Sequence, residues 1–364
     1  MLINHPGSWQ QFQHRFDNKG LSVMEMKSKY LHEQYLFEAE LFNLQQQHQQ
    51  NVFMNGGGGG AASTSEPTPS YTTELQLTFN DNLAAVEAEF GVNPSLLSTW
   101  NAKFPNANFE TIIIDDNTNP GNPTITLKGN TENAGQVADT AFKAKTTIGS
   151  IFDVNANCII ETTGTESFSQ SGLVSVNLGA ITKIDNSAFD SCASLTTIIM
   201  PNLTTFGPGI PDINIAAFRN CTSLSTVDFS SLVSVPNYAF YGCTSLLDLT
   251  GFRAVETVGQ YSFAYSGLGD VTSDMITSID QYGFYRAGSI TSINLSSPDP
   301  ISIAKSAFEK CLALDNISIV GETTLGGTNV FLEVASDGTY NFQNGYIDSN
   351  GNITYLNSIG WTSA

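Results

Sequence analysis

Apolar positions between residues 165 and 320 recur at two nested periods. Phe168, Phe189, Phe218, Phe240, Phe263, Phe284 and Phe308 are separated by 21, 29, 22, 23, 21 and 24 residues. Each follows a small residue (Ser167, Ala188, Ala217, Ala239, Ser262, Gly283, Ala307), which lets the chain turn tightly over the ring. Five residues before all but the first stand Ile184, Ile213, Val235, Val258, Ile279 and Ile303, and three after four of them stand Cys192, Cys221, Cys243 and Cys311. The shorter period opens at Leu195, Leu224, Leu246 and Leu314, with Ile198, Val227, Leu249 and Ile317 three residues on. Alternation there predicts a short strand with one face inward and one outward. Such a unit cannot bury its apolar side alone, so neighbours must stack into a solenoid with a shared core.

The segments NSAFDSCASLTTI, IAAFRNCTSLSTV, NYAFYGCTSLLDL and KSAFEKCLALDNI resemble the BspA-like leucine-rich repeats, typified by I-x-x-x-A-F-x-x-C-x-x-L-x-x-I. YSFAYSGLGDV and YGFYRAGSITSI are weaker copies that lack the cysteine. The resemblance covers roughly Thr165 to Val320. It implies extracellular or surface-exposed binding and adhesion, with partners that differ widely between members, and it implies no enzyme. PNLTTFGPGIPDIN, which stretches one spacing to 29, should bulge as a loop and leave the stack unbroken.

The flanks read differently. Leu21 to Gln50 is free of Gly and Pro and predicts one helix. Val23, Tyr30, Phe37 and Leu44 recur every seven residues with Leu41 beside them, but Lys27, Glu33 and Gln34 interrupt the companion row. This face is expected to anchor or assemble the chain, the alternative being a helix folded back on the body. The glycine run Gly56 to Gly60 followed by AASTSEPTPS predicts a flexible spacer. From Tyr71 to Gly164, ELQLTF, TIIID and PTITLKG predict strands and NPSLLSTWNAKF a short helix, with Phe142, Ile148 and Phe152 beginning a degenerate first coil. After Gly321 the regular pattern stops, and Asp337-Gly338 and Asn350-Gly351 predict hairpins that cover the last coil.

The expected fold is therefore an α/β repeat, mostly strand and turn: a leucine-rich-repeat solenoid with a small α/β N-terminal cap, a β C-terminal cap and a separate N-terminal helix. The expected divisions are 1–55 anchor, 56–70 linker, 71–164 cap, 165–320 solenoid and 321–364 C-terminal cap.

Charge narrows the function. The chain is 41% hydrophobic and only 13% charged, with a net charge of −20. The first 55 residues hold four bases and five acids, leaving ten bases against 29 acids in the rest. An acidic body repels phosphate backbones, so no nucleic-acid partner is expected. No window approaches the roughly 18 to 20 apolar residues that span a bilayer, and the start MLINHPGSWQQFQHRF has no apolar signal core, so neither membrane insertion nor standard secretion is expected.

Catalytic chemistry is sparse. His5, His14, His32 and His48 all lie in the first 55 residues, so the body lacks the usual Ser/His or Cys/His pairs and any histidine-rich zinc site. Four of the five cysteines share one repeat position, which points to packing, and Cys158 lies apart. DDNTNPGN at Asp115 puts Pro120 where a calcium loop needs glycine and Thr126 where it needs glutamate, so it predicts a turn. Neither a cofactor nor a metal is expected.

The expected binding face is the outward row of the short strands: Asn177, Thr226, Asp228, Asp248, Thr250, Asp270, Asn294 and Asn316, with Ser175, Thr272, Ser292 and Ser318 beside them. Stacked coils would array them about 4.8 Å apart. A helical anchor, a glycine tether and a display domain are similar to the organisation of tailed-phage virion appendages. On that reading residues 1–55 dock other virion proteins, the solenoid meets a host surface protein or glycan, and several copies sit on a particle. The alternative is a bacterial surface or secreted leucine-rich-repeat adhesin.

Overall fold

The computed structural model describes residues 73–364 apart from 92, 108, 116–121, 130–134, 155–159, 208–214, 248 and 250. The anchor positions Val23, Tyr30, Phe37, Leu41 and Leu44, the glycine run, Cys158, Ile213, Asp248 and Thr250 lie outside the described residues.

The described chain is mostly strand and winds into a solenoid of about nine turns. Most coils contribute two short strands. The first follows the repeat leucine or, at Ile290, isoleucine, as in Ser175–Asn177, Thr226–Asp228, Ser292–Ser296 and Asn316–Val320. The second precedes the phenylalanine, as in Thr257–Val258, Ser278–Ile279 and Ile301–Ile303. From coil to coil, strands of one kind pair with their counterparts in parallel: Val176 faces Ile198, Ile293 faces Ile317, and Val258 faces Ile279.

The third side of the coil, around the phenylalanine, is also hydrogen-bonded from coil to coil. Residues two before and two after the ring adopt left-handed backbone, as at Glu166 and Gln170, Ser187 and Ser191, or Ser306 and Lys310. This aims three amides along the solenoid axis. Glu166, Phe168 and Gln170 donate to the carbonyls of Asn186, Ala188 and Asp190 at 2.9, 2.8 and 2.8 Å. The same triplet recurs at Phe240 and Phe308. A turn that would otherwise leave buried amides unpaired becomes a third ladder.

The phenylalanines form a continuous internal column. Phe142, Phe168, Phe189, Phe218 and Phe240 stack at 5.0 to 5.4 Å with planes within 14° of parallel. Phe263, Phe284, Phe308 and Phe331 continue the column at 5.0 to 5.9 Å, within 11°. At those distances near-parallel rings are offset, the favoured aromatic arrangement. The 29-residue spacing leaves the Phe189–Phe218 step at 5.1 Å, so the insertion does not break the stack.

Two 21-residue coils lack the cysteine and carry Ser171-Gly172 and Ser266-Gly267 instead. A Cβ on Gly172 or Gly267 would meet the carbonyl oxygen of Thr146 or Thr244 at 2.1 or 2.2 Å. Glycine is therefore what permits the shorter coil.

At the N-terminal end, Thr73–Phe79, Thr111–Asp115 and Thr124–Gly129 form antiparallel strands, and Thr73–Phe79 also pairs antiparallel with Ile148–Asp153 of the first coil. Helices Leu83–Phe90 and Leu97–Lys103 close the end of the column, where Trp100 packs on Phe142 at 6.4 Å. The first helix goes beyond the sequence expectation. It is capped by Asn82, whose side chain accepts from Ala85, and stopped by left-handed Gly91.

The C-terminal segment also differs from its expectation. The repeat does not stop at Gly321, because Phe331 extends the column and Thr339–Gln343 pairs in parallel with Asn316–Val320. Tyr346–Ile347 and Thr362–Ser363 likewise continue the ladders in parallel. The turn residues are used inside coils, Asp337 at φ 60° and Gly351 at φ 73° ahead of helix Asn352–Ser358, so they do not make hairpins.

Candidate binding surface

Among the described residues, outward strand positions line up from coil to coil. Ser175 and Thr226 align with Thr197 between them, and Asn177 and Asp228 flank Ile199. Thr272, Asn294, Ser318 and Asn341 make one row, and Ser292, Asn316 and Thr339 another. Several of these groups are occupied by their neighbours. Asn316 donates to Thr339 Oγ1 at 3.0 Å, and Ser230 donates to Asp228 at 2.6 Å. Asp270 accepts from Thr291 N, Thr291 Oγ1 and Ser292 N at 3.0, 2.7 and 2.8 Å. Partial burial alone would raise the Asp270 carboxyl, but these donors hold it below its usual value.

The cysteine column is internal. Cys192, Cys221, Cys243 and Cys311 are free and buried. Each thiol donates to the carbonyl of the phenylalanine one coil earlier: Phe168, Phe189, Phe218 and Phe284, at 2.9 to 3.1 Å. Burial pushes Cys311 up to about 12 and Cys243 higher still. No group of three or more His, Cys, Asp or Glu among the described residues could hold a metal ion.

The phenylalanine side carries a feature that the strand pattern does not reveal. A groove of about 760 Å³ crosses successive coils and is lined by Tyr238, Tyr241, Tyr261, Tyr265, Tyr282 and Tyr285 at its centre. Arg219 and Asn220 form one end, and Lys305, Ser306, Glu309 and Asn329 the other. The tyrosines make two columns. Tyr238, Tyr261 and Tyr282 stack at 5.1 and 4.7 Å, while Tyr241, Tyr265 and Tyr285 follow at 5.3 and 5.5 Å with tilted planes. All six are half-buried or exposed, Tyr265 the most at 37%. Arg286 lies 5.7 and 5.6 Å from the Tyr265 and Tyr285 rings. Partial burial and neighbouring phenols raise Tyr261 and Tyr265, so both stay protonated at neutral pH.

Tyr238, Tyr261, Tyr265 and Tyr282 occupy the left-handed positions beside the ring column. The fold requires that backbone in every coil, but a bulky side chain adopts it at a cost that Asn or Gly largely avoids. A sequence signal was present, because NYAFY, YSFAY and YGFY place tyrosine beside phenylalanine in three consecutive repeats. It falls off the apolar period and so carries no weight in a search for core positions.

The sequence matches the family described as BspA type leucine rich repeat region (6 copies) over residues 124–246, 161–286 and 233–355. Among solved structures, the leucine rich repeat protein TpLRR of T. pallidum is 17% identical with a TM-score of 0.39, the match covering 59% of this chain and 90% of that one. A leucine-rich repeat protein from Bacteroides ovatus ATCC 8483 is 13% identical with a TM-score of 0.40, covering 63% of this chain and 65%, just under two thirds, of that one. No curated protein sequence matches. The family match spans well over half of the chain and falls on the phenylalanine and cysteine columns, so the chain belongs to the BspA-type leucine-rich repeat family.

Proposed function

We propose that this chain is a non-enzymatic, adhesin-like binding protein of the cell surface or extracellular space, which meets its partner through the tyrosine side of its solenoid. The observation that supports this most is the groove itself. Six partly exposed tyrosines from three successive coils stand together, four of them on backbone that disfavours them. Packing does not demand tyrosine there, since the coils of Phe168 and Phe189 place Glu166, Gln170, Ser187 and Ser191 at the same positions. Tyrosine presents a large, stiff contact area at low entropic cost, which suits recognition.

Family membership supports a surface or extracellular setting and thus the adhesin reading. The virion-appendage reading, with docking through residues 1–55, gains no support from the comparisons. The test is binding of the labelled full chain to a panel of bacterial and eukaryotic cells, with Tyr261→Ala/Tyr282→Ala as control. We expect saturable binding that falls about tenfold or more in the variant, as for a central aromatic contact. Equal binding by both proteins would move the site to the outward strand face around Asn294 and Asn316.

A further inference from the structure

The geometry points to an extended, uncharged polysaccharide, lying along the solenoid axis, as the occupant of the tyrosine groove. This rests on the reading of the groove as the binding surface and adds the ligand class. The groove runs across coils, from the turn of Phe218 to that of Phe331. Its central lining therefore repeats once per coil, with rings 4.7 and 5.1 Å apart. A partner that fits such a row is itself a polymer with a short, regular repeat.

The lining chemistry suits hydroxyl groups. Because one tyrosine column is stacked face to face, it offers ring edges and phenol hydroxyls more than open faces. Around it stand the Asn220 and Asn329 amides, the Glu309 carboxylate and the Arg219 and Lys305 cations, all able to bridge hydroxyl pairs.

Charge and backbone argue against the other polymers. The net charge of −20 opposes a polyanion. Of the two cations in the lining, Arg219 is paired with Asp190 at 2.8 Å, and Glu309 brings a negative charge to the same end as Lys305. An added peptide strand needs free backbone groups, but here the amides of Tyr238, Tyr261, Tyr265 and Tyr282 already donate to the carbonyls of Gln260, Gln281, Tyr285 and Lys305 in the next coil.

The test is affinity electrophoresis of the full chain in gels containing a neutral polymer (xyloglucan, galactomannan or laminarin) or an acidic one (alginate or pectin). The variants are Tyr261→Ala and Tyr282→Ala, with unchanged circular dichroism as the folding control. We expect retardation by at least one neutral polymer, none by the acidic ones, and a loss of about tenfold or more in the tyrosine variants. Failure of every neutral polymer, or equal retardation of the variants, overturns the proposal. Target cells treated with periodate or with protease separate the two levels of the argument. Tyrosine-dependent binding that survives periodate but not protease removes the glycan and leaves the surface function standing. Binding to untreated cells that ignores the tyrosines removes both.

Discussion

A cysteine in this repeat serves two neighbouring coils at once. It is buried in its own coil, and its thiol caps a phenylalanine carbonyl of the one before at 2.9 to 3.1 Å. Alkylation mapped by mass spectrometry at pH 8 should therefore leave Cys192, Cys221, Cys243 and Cys311 unmodified in the native protein and modify all four after unfolding. The pH dependence follows from Cys311, which burial raises from 9.0 to about 12. Between those values the unfolded chain has lost the proton and the folded one keeps it, so rising pH favours unfolding. The stability difference between wild type and Cys311→Ala should shrink by about 1.4 kcal/mol per pH unit above pH 9. A flat difference in guanidinium unfolding at pH 8, 9 and 10 would show an accessible thiol. The cysteine column was legible from the spacing of Cys192, Cys221, Cys243 and Cys311. Its hydrogen bond was not, because the accepting carbonyl belongs to another coil and no local pattern records it.

At the scale of the element, the coil is held by its ring and by contacts that cross to the next turn. Phe263 is fully buried between rings 5.3 Å away on both sides. Phe263→Ala should cost about 3 to 5 kcal/mol in denaturant unfolding, as other buried aromatic truncations do. Tyr261→Ala, two residues away but half-exposed, should cost about 1 kcal/mol. Similar losses at both positions would mean that the tyrosines hold the coil together. The N-terminal helices depend on Glu89, which accepts from Thr146 N and Oγ1 at 2.6 and 2.9 Å and from Thr147 N at 3.0 Å and Thr147 Oγ1. Burial pushes its carboxyl up, but those donors outweigh it and hold it below the usual 4.5. The stabilisation is thus complete above about pH 4.5 and fades as acid protonates the folded form. Glu89→Gln should cost about 1.5 kcal/mol at pH 7 and progressively less as the pH falls below 4.5, which thermal melts at neutral and acid pH can check. Local signals also set the limits of what the sequence yields here. Asn82 and Gly91 mark the ends of a helix that apolar spacing alone overlooks. Asp337 and Gly351 announce turns correctly, but a turn does not say whether the strand after it reverses onto its predecessor or travels on to the next coil.

Across the whole described unit, each coil touches mainly the coils before and after it, so stability is close to a sum of coils and of steps between them. Fold class was readable at this scale because a period near 22 residues survives point changes. The binding surface was half readable: alternation located the outward strand rows, while the tyrosine groove depends on which side of the turn faces solvent, and that is fixed by the left-handed residues around each ring. A chain of weakly coupled units frays from its ends and opens in parts. The groove, however, draws its lining from the turn of Phe218 through that of Phe331. An occupant that spans those coils acts as a splint: none of them can open without releasing it, so occupancy joins independent turns into one cooperative block.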